Sequence, residues 1–226
     1  MTAASDAAVD SDSGPATAPP PADPPTFSEQ GLRLAWREHR PYVLASTVLF
    51  LLGVVFGVVI WGRVDLFAAL GFESLGDVLP QNPTATTIFL NNARVFLIFA
   101  LAPITVLGIL LTVAGLLFNG VLVGYVATGV TGQVGLGFVL LALAPHGILE
   151  LPALFVGSAI GFRLIAVPLF YLLGSRESLW TRGELERAGL LVVLGILVLG
   201  VAAVIEMHVT TWLLEQFFPA ARGAAA

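Results

Sequence analysis

The residues of this chain best equipped for chemistry are His146 and Glu150, in the stretch LAPHGILELPALFVG at 143–157. They are four apart, so a helical turn between them places both on one face. So arranged, they could supply two metal ligands, a proton relay or an acid–base pair. A hydrolytic metal site ordinarily takes three protein ligands and keeps one position open, and Glu206 or His208 could supply the third. The same pair could instead serve structure alone, with Glu150 bound to His146 and capping backbone groups freed by Pro145 and Pro152. Other polar residues in apolar surroundings are Arg163, Glu206, Asn91, Asn92 and Asn119. Arg163 could pair with Glu150 or Glu206, or reach toward an interface. Asparagines at such positions most often hydrogen-bond between helices.

The solvent around these groups decides their chemistry, and composition names it. The 226 residues are 57% hydrophobic and 11% charged, with a mean hydropathy of +0.93. Soluble domains carry about a quarter charged residues. Several apolar runs reach the ~20 residues needed to cross a bilayer, which implies a multi-pass membrane protein. The absence of cysteine excludes disulfides, thiolate metal sites and cysteine nucleophiles. All the basic residues are arginine and the net charge is −5, a composition that suits a salt-adapted or GC-rich source. No region is basic enough to hold nucleic acid. Neither a GxxxxGK[ST] phosphate loop nor a GxSxG elbow occurs, so ATP-driven and serine-hydrolase chemistry are not expected. No cofactor is implied.

The elements that carry these residues follow from the same patterning. Residues 1–28, rich in Ala, Pro, Ser, Thr and Asp, bury too little apolar surface to order and read as a disordered cytoplasmic tail. Residues 29–41 read as a juxtamembrane amphipathic helix with Arg33, Arg37 and Arg40 on one face, or as a plain positively charged flank. A span at 42–61 has an aromatic residue at each end, and Gly53 and Gly57 form a GxxxG pair that admits a close neighbour. Residues 62–87, with Asp65, Glu73 and Asp77 against Arg63, form an external loop. The apolar stretch 88–130, with Arg94 near its start, must hold two helices, with a turn near 115–120. Gly120 and Gly124 form a second close-packing pair.

Residues 136–174 are too long for one span and too short for two joined by a loop. Pro152 within a helix would lose a hydrogen bond and clash with the carbonyl of Ile148. The expectation is a broken or re-entrant segment at 136–151 followed by a full span at 153–173, with Gly157 and Gly161 as a third close-packing pair. Arg176, Arg182 and Arg187 then form a cytoplasmic loop, and the last span covers 188–210. This makes an all-α, polytopic transmembrane helical bundle of about five spans plus a broken or re-entrant helix carrying the PHGxxELP motif. Six crossings would put the three loop arginines outside. The transmembrane domain occupies 42–210, and 211–226 is a short C-terminal tail. The location is the cell membrane, with the N-terminus cytoplasmic.

The stretch LAPHGILELPALFVGSAIGF closely resembles the PHGxxELPA signature of the stage II sporulation protein M family, also called the DUF95 family. The likeness continues in FLNNARVF before the second span, LLFNGVLVG at the second-to-third turn, and the VAAVIE ending. Together these cover most of residues 40–210 in the expected order. The resemblance implies an integral membrane protein without established enzymatic activity. Sporulating bacterial members act in a membrane complex that recruits peptidoglycan-degrading partners during engulfment. What it implies here is a membrane component of an envelope-associated assembly. The motif residues are Pro145, His146, Gly147, Glu150 and Pro152, with Asn92, Asn119 and Glu206 in the other matching stretches.

Three functions remain open on the sequence. The first is a non-enzymatic membrane scaffold or partner subunit, in contact with the lipid bilayer and with other membrane proteins or itself. The second is a transporter or channel component with a polar site at the broken helix. The third is an intramembrane metal-dependent hydrolase using His146 and Glu150. No metal site, nucleic-acid partner or particular substrate is specified.

Overall fold

The computed structural model describes residues 24–73 and 84–218, apart from the side chain of His146. Most of the expected disordered tail, the loop residue Asp77 and the last eight residues lie outside the described residues.

The described chain forms seven α-helices and no strand. Helix α1 is Glu29–Ile60, α2 is Leu66–Ala69 and α3 is Ala85–Leu101. After a 3-10 turn at Ala102–Ile104 come α4, Val106–Val134, and α5, Leu136–Leu172. Helix α6, Arg182–Val204, runs through a π-helical segment, Ile205–Thr210, into α7, Thr211–Phe217. Side-chain oxygens cap the starts: Ser28 for α1, Thr84 for α3, Thr105 for α4 and Thr181 for α6. Each satisfies an N–H that the first turn leaves without a partner.

Five helical stretches are long and apolar enough to cross a membrane. Their outward faces carry large apolar side chains, among them Leu44, Leu51, Leu52 and Val55 of α1 and Leu107, Leu110 and Leu111 of α4. Water would not tolerate so continuous an apolar exterior; lipid matches it.

Neighbouring residues give the helix directions. On α1 and α4, Gly53 meets Leu117 and Gly120, Gly57 meets Val121 and Tyr125, and Trp61 meets Gly129. Both numbers rise together, so α1 and α4 are parallel. Phe155 of α5 stacks edge-on against Phe50 with centroids 5.4 Å apart, while Arg163 lies near Glu38, so α5 runs antiparallel to α1. Phe96 of α3 sits against Gly195 of α6, and Phe89 of α3 near Gly200. The five passes therefore alternate, and the start of α1 shares one end of the bundle with the connection before α6. Thr26 Oγ1 donates to Glu186 at 2.9 Å across that shared end.

Close approach rests on the glycines. A Cβ on Gly53, Gly57, Gly120 or Gly124 would run into backbone of the facing helix. The two GxxxG pairs thus face each other along the α1–α4 seam, as small residues allow in lipid. Gly157 receives the fully buried ring of Phe96, and Gly161 the Phe99 carbonyl and Pro103.

Three expectations give way. The turn between the second and third crossings lies at 102–105, not 115–120. Pro103 opens it, and Thr105, in extended conformation, caps α4 by accepting from Gly108 N at 2.9 Å. GLLFNG instead lies inside α4, where its glycines thin the helix rather than end it. Second, 136–151 does not return as a separate re-entrant element. It begins one continuous α5 helix, Leu136–Leu172, which contains Pro145, Pro152 and Pro168. Each proline removes a single hydrogen bond, which neighbours can make good, whereas a loop in lipid would strand many. Five crossings result. Third, 29–41 is not a separate surface helix but the first turns of α1, which passes through Pro41 and buries Gly31, Ala35 and His39.

Candidate functional site

Two polar regions are built into the bundle. The first is a cavity of about 250 Å³ between α1, α3, α4, α5 and α6. Asn91 and Asn92 reach it from α3, Asn119 from α4, and Gly147 and Glu150 from α5. The rest of its wall is apolar, chiefly Phe50, Phe96, Leu143, Leu154 and Leu199. Asn119 Nδ2 donates to the Gly115 carbonyl at 2.8 Å, which orients the amide and leaves its oxygen free of that bond. A Cβ added to Gly147 would meet nothing within 4 Å, so the glycine adds room. Glu206 stands on the π-helical segment, and its carboxylate acts electrostatically on Glu150. A π-bulge offsets the side chains after it and recurs at functional sites. Here His208 Nδ1 lies 3.0 Å from the carbonyl of Val204, the residue just before it.

The structure therefore brings Asn92, Asn119, Gly147 and Glu150 together and adds Asn91. Pro152 faces elsewhere, lining a groove against Leu191, Leu194 and Gly195 of α6. Pro145 lies inside α5, between the cavity residues Leu143 and Gly147. Whether His146 pairs with Glu150 lies outside the described residues. Among the described residues, no three of His, Asp and Glu converge as metal ligands do.

The second region is a buried ionic cluster at the end shared by the α1 start and the α6 start. Arg163 Nη2 is 2.6 Å from Glu184 Oε1 and 3.5 Å from Glu38 Oε2. Arg176 donates to both Glu184 oxygens at 3.0 Å, and Arg187 grips Glu38 through Nη2 at 2.6 Å and Nε at 3.2 Å. Glu184 also closes the α6 capping box, accepting from Thr181 N at 2.9 Å. The Arg163 guanidinium lies 5.1 Å over the Trp180 ring. His39 is buried beside them, its Nδ1 2.9 Å from the Ala35 carbonyl. A carbonyl only accepts, so Nδ1 carries a proton, while Nε2 is buried without a hydrogen-bond partner among the described residues.

This corrects the expected partners of Arg163: it pairs with Glu38 and Glu184, not Glu150 or Glu206. Sequence reading missed the cluster because Glu38 and Arg187 stand 149 positions apart. One signal was present: Thr181 and Glu184 have capping-box spacing, which marks Glu184 as ordered. Arg94 contrasts with both regions. It stands near the middle of α3, exposed in a shallow groove with Leu90, Leu97, Ile98 and Leu101, and among the described residues nothing pairs with it.

Alternating apolar crossings around buried polar groups define a polytopic α-helical membrane protein. The family model of stage II sporulation protein M matches residues 46–211, and the chain belongs to that family. The match covers the whole cavity, Arg163 and Glu184, and begins after Glu38. The chain is also similar to an uncharacterized protein of Methanocaldococcus jannaschii, 26% identical over 170 residues, or 74% of this chain and 93% of that relative. No solved structure matches it.

Proposed function

We propose that the protein is a non-enzymatic subunit of an envelope-associated assembly in the cell membrane, holding a partner within the bilayer. The observation that carries this reading is Arg94. A guanidinium at the centre of a crossing helix costs at least about 2.5–3.5 kcal/mol unless something compensates it. This one faces outward from the monomer, in an apolar groove of about 670 Å³. An acidic group on a neighbouring chain would relieve that cost. Family membership supports the same reading. The test is purification from native membranes in nanodiscs, followed by the same purification of Arg94→Leu. A stoichiometric partner lost in the variant is expected; a wild-type monomer without partners overturns the reading.

The start of α1 and the 175–181 connection are placed on the cytoplasmic side, because arginines gather at that end. The cysteine-free sequence makes this simple to check. Single cysteines at Thr26 and Ser178 should both resist an impermeant reagent in intact cells; labelling of both would invert the orientation.

The cavity favours a second reading, a transporter or channel component. Transporters build their sites from polar groups on interrupted helices at membrane depth, and α5 carries two prolines around Glu150. Solute flux in proteoliposomes that Glu150→Gln abolishes would support it, and absence of flux across a broad solute panel would remove it.

A further inference from the structure

We propose that the cavity lined by Glu150 binds a small organic ammonium ion, its charged head on Glu150 and the asparagine amides, its alkyl body on the apolar wall. This deepens the second reading by naming a ligand class, and it rests on that reading only for the use of the cavity as a site.

The charge of the lining sets the sign. Glu150 is the only ionisable side chain among the described residues that line the cavity. Arg94 faces the neighbouring groove, and Glu206 adds a second negative field. Among the described residues an anionic ligand would meet no cationic contact in this cavity. With a neutral ligand Glu150 must either stay protonated or stand uncompensated in a site walled by hydrocarbon, whereas an ammonium head holds it as the carboxylate.

Shape and polarity then separate the cations. Carboxylate and amide oxygens accept from N–H donors as readily as they coordinate a hard metal ion. A dehydrated alkali ion would fill a small part of about 250 Å³. It would either leave the wall of Phe50, Phe96 and Leu199 unmatched or press its own waters against it. An alkylammonium satisfies both halves, donating to the oxygens while its chain covers the rings and leucines. The volume lies at the small end for ligand pockets, which fits a short alkyl chain rather than a lipid.

The test uses full-length protein in nanodiscs, with n-butylammonium, n-butanol and sodium chloride as probes, read by calorimetric binding and thermal shift. Saturable binding of n-butylammonium is expected, at least about tenfold tighter than n-butanol, the scale of one charged hydrogen bond. Glu150→Gln should lower that affinity about tenfold or more. Gly147→Leu has room for its Cβ and projects beside the cavity, so it should fold, fill the space and abolish binding. It decides the matter if Glu150→Gln folds poorly. Equal binding of n-butanol, displacement of n-butylammonium by stoichiometric sodium, or undiminished binding in Gly147→Leu each overturns the proposal. Flux is measured separately: binding without flux removes the transporter and keeps the ligand class, and flux without ammonium binding does the reverse.

Discussion

The two polar regions handle buried charge in opposite ways. At the α1–α6 end, Arg163, Arg176 and Arg187 close around Glu38 and Glu184 at 2.6–3.5 Å, with Arg163, Arg187 and Glu184 buried and Arg176 at the rim. In the cavity, Glu150 faces three amides and open space, and no described residue gives its carboxylate a hydrogen bond. The difference follows from which helices meet. The cluster joins α1, α5 and α6 where long arginines can reach across their ends. The cavity lies where asparagines on α3 and α4 are too short to close the gap to α5. The first arrangement fixes the bundle; the second leaves acceptors for something else.

The largest expected effect is at the closed end. Glu184→Ala removes the shorter partner of Arg163, leaving it only Glu38 at 3.5 Å, and takes both acceptors from Arg176; one-sided loss at a buried pair costs up to about 3–5 kcal/mol. Thermal unfolding in detergent should show it. A loss below about 1 kcal/mol would mean that water already reaches the cluster, and the contrast would fail.

Next come the glycines, which sharpen the contrast directly. Gly161→Leu must push aside the Phe99 carbonyl and Pro103, an overpacking cost of about 1–3 kcal/mol. Gly157→Leu should behave likewise against Phe96, while Gly147→Leu, beside open space, should cost under about 1 kcal/mol. Equal yields and extracted sizes for all three variants would show that the cavity is no roomier than the seams.

Smaller in stability, and larger in consequence, is the change at His146 and Glu150. His146→Leu combined with Glu150→Leu removes both polar groups, and paired apolar replacement is often neutral, within about 1 kcal/mol. The double variant should fold yet fail to complement a deletion strain, as each single variant should. Full complementation by a stable double variant would make the pair structural. The smallest effect belongs to Asn119→Ala, which loses only a side-chain bond to the Gly115 carbonyl one turn back in its own helix, worth about 1 kcal/mol or less. A loss of several kcal/mol would place Asn119 in the framework rather than at the site.

Some of this was determined by sequence alone. Hydropathy and length settle the membrane class, because a bilayer imposes the same ~20-residue requirement on any helix, while the count of crossings stood at about five with six still open. The PHGxxELP motif and the asparagine stretches identify the family from local residues. The GxxxG spacings at 53/57 and 120/124 mark close approach, since only small residues permit it. The turn at 102–105 was legible in Pro103 and Thr105 but lay hidden inside an apolar run without a charge to mark it. The continuity of α5 was not legible at all: proline's local penalty argues for a break, and only the wholesale loss of backbone hydrogen bonding in lipid outweighs it.

Tertiary structure alone decided the partners. Arg163 could have met Glu150, Glu206 or water; helix direction and register bring it to Glu38 and Glu184. Asn91, Asn92, Asn119 and Glu150 become one site only because α3, α4 and α5 place them around a shared space. Local propensity and hydropathy act over a few turns of chain, whereas a side chain's partner depends on the packing of helices far apart in sequence. That packing is fixed by the glycine seams and the wedge of Phe96.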